Sequence, residues 1–241
     1  MSPDTEIWLL AILCGTYFVA GFIDSIAGGG GLISIPVFLL TGVSPELVLG
    51  TNKMAACIGT TASLATYARK GYVLWKLAYT GIPCAVLGGF TGSKAILLFD
   101  GAQIGKLLVF LLPLGILVTL MPKKESIREQ RLNHTSIYVY NPIICFVLGF
   151  YDGFFGPGTG SFFILAFHFI LKIGLIHASA TAKIFNLTTG LGSLVAFSLH
   201  GKVLYGLAIP LAIANITGNV IGTRLAMAIG PAFVRKTLLS G

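Results

Sequence analysis

An aspartate beside a glycine-rich break occurs twice in this chain, each time in apolar surroundings. Gly21, Phe22, Asp24, Gly28 and Gly30 recur 128 residues later as Gly149, Phe150, Asp152, Gly156 and Gly158. The runs Gly28-Gly29-Gly30-Gly31 and Gly156-Pro157-Gly158-Thr159-Gly160 do not suit a continuous helix, because glycine is costly in a helix interior and Pro157 lacks an amide donor. Composition identifies the solvent around them. Hydrophobic residues make up 55% of the 241 positions, charged residues 10%, and mean hydropathy is +0.90, whereas soluble domains carry roughly 25% charged residues. The chain therefore reads as an all-α integral membrane protein. In a bilayer, carboxylates and unwound backbone persist where they line a cavity or are buried by protein. Two copies of such an element predict a transport site built from two halves, with broken or re-entrant helices near the membrane midplane.

Apolar runs lie at about 6–26, 31–42, 46–68, 72–99, 103–121, 137–155, 159–173, 178–200, 203–229 and 231–241. Several reach the ~20 residues that cross a bilayer as a helix. The short runs 31–42 and 159–173 each follow a Gly-rich break and are expected as half-helices or re-entrant segments. The first run follows Asp4 and Glu6 rather than a basic region, so it is expected as a retained helix and not a removable signal.

Cys14, Cys57, Cys84 and Cys145 sit in apolar runs without CxxC or Cys/His ligand spacing, which reads as packing. His134, His168, His177 and His200 are scattered, so neither a metal nor a cofactor is expected. No Gly-Lys pair precedes Ser or Thr, which argues against ATP hydrolysis. No nucleophile, base and metal constellation stands out, so no enzyme is expected.

A formal charge of +8 would raise nucleic-acid binding in a soluble chain. Its location argues otherwise. Arg69, Lys70 and Lys76, then Lys123, Lys124, Arg128 and Arg131, then Arg235 and Lys236, gather in short connections between apolar runs. That is the positive-inside pattern, and it puts these connections, the central loop included, in the cytoplasm. The expected partners are a lipid bilayer and a small anionic substrate, with a homo-oligomer left open and no nucleic acid.

The repeat continues past the opening motif. At an offset of 130, Thr51 and Lys53 match Thr181 and Lys183, Gly71, Val73 and Leu74 match Gly201, Val203 and Leu204, Gly88 and Gly92 match Gly218 and Gly222, and Lys106 matches Lys236. The change from 128 to 130 implies two extra residues in the second copy between its break and Lys183. Residues 1–121 then form a first transmembrane repeat, 122–136 a basic connecting loop, and 137–241 a second repeat whose last helix looks incomplete. The turn from Arg69 to Lys76 has three basic residues, while its counterpart from His200 to Tyr205 has only Lys202 besides the histidine. The bias flips between copies, as inverted repeats require, with an even, parallel arrangement as the alternative.

The break from Phe22 through Gly31 to Pro36, the run Gly50-Thr51-Asn52-Lys53, the turn Arg69-Lys70-Gly71 and the second break from Asp152 to Gly160 resemble, over nearly the whole chain, the TauE/SafE family of membrane transporters. This family is also called the sulfite exporter or toluene-sulfonate uptake permease family. The resemblance implies a polytopic transporter of about eight helices for sulfite, sulfonates, sulfoacetate or related small anions in a bacterial inner membrane. Ala182 stands where the first copy has Asn52, so a site that uses Asn52 is asymmetric.

The candidate site residues follow. Lys53 and Lys183, inside long apolar runs, either snorkel to the interface or face a wet cavity and attract an anion. Gly29, Gly30, Gly158 and Thr159 are expected to add backbone donors at half-helix N-termini, and Thr51, Asn52, Thr181 and Asn186, on the lysine-bearing runs, either bind substrate or hydrogen-bond between helices. Asp24 and Asp152 either carry protons or gate, or cap a helix end or pair with a lysine. The expected function is secondary transport of a small anion, with or without proton coupling. A passive anion channel is the alternative, and a membrane enzyme ranks below both.

Overall fold

The computed structural model describes residues 3–120 and 132–229, with no strand among them. Among the described residues nine α-helices follow in order: α1 (Pro3–Ala27), α2 (Gly31–Leu39), α3 (Pro45–Arg69), α4 (Trp75–Ile96), α5 (Gly101–Leu120), α6 (Asn141–Phe154), α7 (Thr159–Phe169), α8 (Leu175–Leu199) and α9 (Tyr205–Ile229). A short π-helical turn, Ser136–Tyr140, leads into α6. Residues 122–131 of the expected basic loop, and 230–241 with the expected incomplete helix, lie outside the described residues.

Local chemistry explains where these helices start and stop. Pro45, whose missing amide costs nothing in a first turn, opens α3, with Glu46 near the positive end of the helix dipole. Its C-terminus is closed by Gly71 at φ +75°, with the Tyr72 amide donating to the Tyr67 carbonyl at 3.2 Å. The second copy repeats this closure, with Gly201 at φ +64° and the Lys202 amide donating to Phe197 at 2.8 Å. Helix α8 begins ahead of its apolar run because His177 is turned inward, with Nδ1 2.8 Å from the Tyr72 carbonyl.

Both Gly-rich segments interrupt the helices as expected. Helix α1 stops at Ala27 and α6 at Phe154, each followed by a short helix of nine or eleven residues. The two extra residues of the second copy fall in α7, because five residues separate each short helix from its successor.

The two halves interlock. Helix α1 packs on α9 and α6 on α4, while α3 packs on α9 and α8 on α4, and α3 meets α8 in the middle. Each pair maps onto the other when the copies are exchanged. Glycines permit the close approach: Gly88 and Gly92 lie against the backbone of Phe146 and Phe150, and Gly218 and Gly222 against that of Phe18 and Phe22. Outward faces carry exposed Trp8, Ile12, Phe110, Leu117, Ile209 and Ile213, a surface suited to lipid. Among the described residues, five helices are long and apolar enough to cross a membrane: Ile7–Ala27, Gly101–Thr119, Ser136–Phe154, Leu175–Leu199 and Tyr205–Ala228. Helix α3 matches α8 in length but carries three charged residues, Glu46, Lys53 and Arg69, where α8 has Lys183.

The two breaks touch. The Ser161 amide donates to the Gly28 carbonyl at 3.2 Å and its hydroxyl to the Ala27 carbonyl at 2.7 Å. A methyl on Gly28, which sits at φ +82°, would come within 2.7 Å of the Gly160 Cα, leaving no room between the backbones. Gly28→Ala should therefore lower the unfolding temperature of the purified protein well beyond Gly71→Ala. At Gly71 an added methyl meets nothing within 4 Å and costs only the ~1–2 kcal/mol of a left-handed alanine. Equal unfolding temperatures for the two variants would contradict a tight crossing.

Candidate functional site at the crossing of the two breaks

Each central helix carries one buried lysine, and each lysine reaches into the other half. Lys53 on α3 holds Asp152 of α6, with Nζ 2.9 Å from Oδ1 and 2.6 Å from the Asp152 carbonyl. Lys183 on α8 holds Asp24 of α1, with Nζ 2.8 Å from Oδ2 and a further bond to the Asp24 carbonyl. Both carbonyls belong to the last turn of a helix that is about to break. Each ammonium thus meets the negative end of the helix dipole together with the carboxylate, and the Asp24 carbonyl also accepts from the Gly28 amide at 2.9 Å.

The two pairs differ in their surroundings. Asp152 has a second fixed partner, because the Thr189 hydroxyl donates to its Oδ2 at 2.7 Å. Asp24 accepts instead a long contact of 3.4 Å from the Gly30 amide, at the start of α2. Lys183 is completely buried, while Lys53 reaches the wall of a cavity.

That cavity, of about 70 Å³, lies where the breaks cross. Its wall takes Lys53, Ala56, Cys57 and Thr60 from one face of α3, the helical spacing expected for a shared face. Asp24, Gly30 and Ser34 come from the first break and α2, and Asp152, Gly158 and Thr159 from the second break and α7. Asn52 and Asn186 complete the polar lining, with Asn215 of α9. The Ser34 hydroxyl donates to Asn52 Oδ1 at 2.8 Å, which leaves the Asn52 amide hydrogens free for the cavity. Asn186 Oδ1 is buried with no partner among the described residues.

Of the residues singled out in the sequence, Lys53, Asn52, Asn186, Gly30, Gly158, Thr159, Asp24 and Asp152 meet at this cavity. Lys183, Thr51, Thr181 and Gly29 do not line it. Thr51 and Thr181 hold the starts of the opposite fourth helices, their hydroxyls accepting from the Leu204 amide at 3.0 Å and the Leu74 amide at 3.1 Å. Gly29 is buried near Thr119. Ser34 and Asn215 were missed, although a buried asparagine within an apolar run such as that around Asn215 is itself a signal.

Two ammoniums and two carboxylates cancel, so the chamber is neutral overall. Its uncommitted polarity lies in amides, hydroxyls and the starts of α2 and α7. Among the described residues no group of three or more His, Cys, Asp or Glu side chains could hold a metal.

A bundle of apolar helices around a polar chamber, with two broken helices meeting at it, defines the class as a helical membrane protein with an internal site. The model of the family described as "Sulfite exporter TauE/SafE" matches residues 13–240, and the chain belongs to that family. It is similar to a "Probable membrane transporter protein" of Haemophilus influenzae, 39% identical over 98% of this chain and 92% of the relative. It is 34% identical to "Probable membrane transporter protein ORF9" of Sinorhizobium sp, over 98% of this chain and 90% of that one. To "Probable membrane transporter protein YfcA" of Escherichia coli strain K12 it is 33% identical, over 96% and 86%. No solved structure matches. The chain is a membrane transporter and not an enzyme.

Removing one member of a buried ion pair strands the other. Lys183→Met should therefore cost on the order of 3–5 kcal/mol, and the double variant Lys183→Met/Asp24→Leu should recover much of it. Unfolding in mixed micelles measures both, and a double variant no better than the single one would remove the pair from the account.

Proposed function

We propose that the chain is a secondary transporter that moves a small anion across the cytoplasmic membrane of a bacterium. The substrate is sulfite, a sulfonate, sulfoacetate or a related organosulfur or organic anion. The observation that carries this reading is the cavity at the crossing, where Gly30, Gly158 and Thr159 at the starts of two short helices share a wall with Lys53 and the Asn52 amide. Helix N-termini favour anions, because their amides point outward and their dipoles are positive there. A cavity of about 70 Å³ has room for several waters or one small oxyanion.

The aspartates stay off the anion and neutralise the lysines. Asp24 is the candidate proton carrier, since its side chain retains 19% exposure against 9% for Asp152. Protonation of Asp24 would free Lys183, and the same step would let the chamber accept a negative charge without unbalancing it. The reciprocal packing of the halves and the flip in basic bias support inverted repeats that rock about the crossing, with the central loop in the cytoplasm.

Sulfite uptake into proteoliposomes should saturate with concentration and respond to an imposed pH gradient. Non-saturating electrical conductance would replace the transporter reading with a channel. Asn52→Leu should raise the KM about 10- to 100-fold, the worth of one hydrogen bond to a charged group, and an unchanged KM would take Asn52 off the substrate. Asp24→Asn should abolish the response to pH while saturable uptake remains; a variant that keeps the full response assigns the proton elsewhere.

A further inference from the structure

Helix α9 carries Asn215, Asn219 and Thr223 on successive turns, spanning about 12 Å of helix axis. All three are buried, at 5%, 0% and 0% exposure. Asn215 lines the central cavity and donates through Nδ2 to the Tyr17 carbonyl at 3.0 Å. Asn219 Nδ2 then donates to two Asn215 oxygens, the carbonyl at 3.0 Å and Oδ1 at 2.9 Å. Because both of those atoms are acceptors, the Asn219 amide cannot be turned over. Its Oδ1 is left without a partner among the described residues, and so is the Thr223 hydroxyl one turn further on. Buried polar atoms without partners cost about 1–3 kcal/mol each, and in folded proteins ordered water commonly satisfies them.

The equivalent positions of α4 are different. Ala85 and Gly89 offer no side-chain hydrogen bond, and the Ser93 hydroxyl donates to the Gly153 carbonyl at 3.0 Å. Gly88, Gly92 and Gly153 bring that seam to backbone contact, as Gly21, Gly218 and Gly222 do between α1 and α9. The two matched seams therefore differ in their polar groups: one has unmet hydrogen bonds among the described residues, and the other is satisfied.

We propose that the seam between α1 and α9 holds ordered water continuous with the central cavity, so that water reaches the cavity along α9 and not along α4. The site binds water irrespective of which ion the transporter carries, and so it does not depend on the proposed substrate.

Thiol reactivity tests this, because the thiolate, which forms where water reaches the sulfur, attacks methanethiosulfonate with loss of sulfinate and binds silver ions. In a background with Cys14, Cys57, Cys84 and Cys145 replaced by Ala, single cysteines are placed at Thr223, Asn219 and Ser93, and silver is used as the water-sized probe. Thr223→Cys should be modified at least ~10-fold faster than Ser93→Cys in the native transporter in liposomes. Comparable rates overturn the proposal, as does an inert Thr223→Cys, the result expected if the Thr223 hydroxyl bonds back to its own helix. Asn219→Cys should react as well. A reactive Thr223→Cys beside an inert Asn219→Cys overturns the continuity with the cavity. If Thr223→Cys fails to run as a single species in size-exclusion chromatography, Asn219→Cys against Ser93→Cys gives the same comparison.

Discussion

The fold depends on two buried lysines, each of which completes the other half of the protein. A lone ammonium or carboxylate in an apolar bundle is costly. Lys53 and Lys183 remove that cost by bonding a carboxylate, and with it a carbonyl at the negative end of a helix, on the opposite repeat. Neither repeat can bury its own aspartate unaided. The duplicated halves are thereby obliged to interdigitate, and the packing of α1 on α9 and α6 on α4 follows from that obligation.

On this symmetric frame the differences are concentrated at the chamber. Lys53 touches the cavity and Lys183 does not; Thr189 secures Asp152, whereas Asp24 rests on a long contact to the Gly30 amide. Asn52 faces Ala182 across the pseudosymmetry, and Asn215 faces Ala85. A duplicated scaffold has kept its charges and glycines in register and specialised its neutral polar groups.

What could be read from the sequence follows the same division. The repeat register and the helix breaks were legible because glycine and lysine each leave a mark at fixed offsets. The pairing of Lys53 with Asp152 and of Lys183 with Asp24 was only one of the alternatives, since no offset within a copy shows which residues meet across copies. Ser34 and Asn215 escaped notice because they lie on α2 and α9, outside the Gly-rich breaks and the lysine-bearing runs from which the candidates came. Thr51 and Thr181 matched perfectly for an architectural reason, as each anchors the first turn of a helix in the opposite half.

The contact between Gly28 and Gly160 carries a mechanical consequence. Where side chains meet, relative motion can be absorbed by changes of rotamer, but here main chain rests on main chain with a hydrogen bond from Ser161 across it. Such a joint has almost no compressibility and resists sliding, yet rotation about it displaces few atoms. In the proposed rocking of the halves it serves as the fulcrum: tilt around that point has little cost there, while the outer ends of the helices sweep through the largest distances.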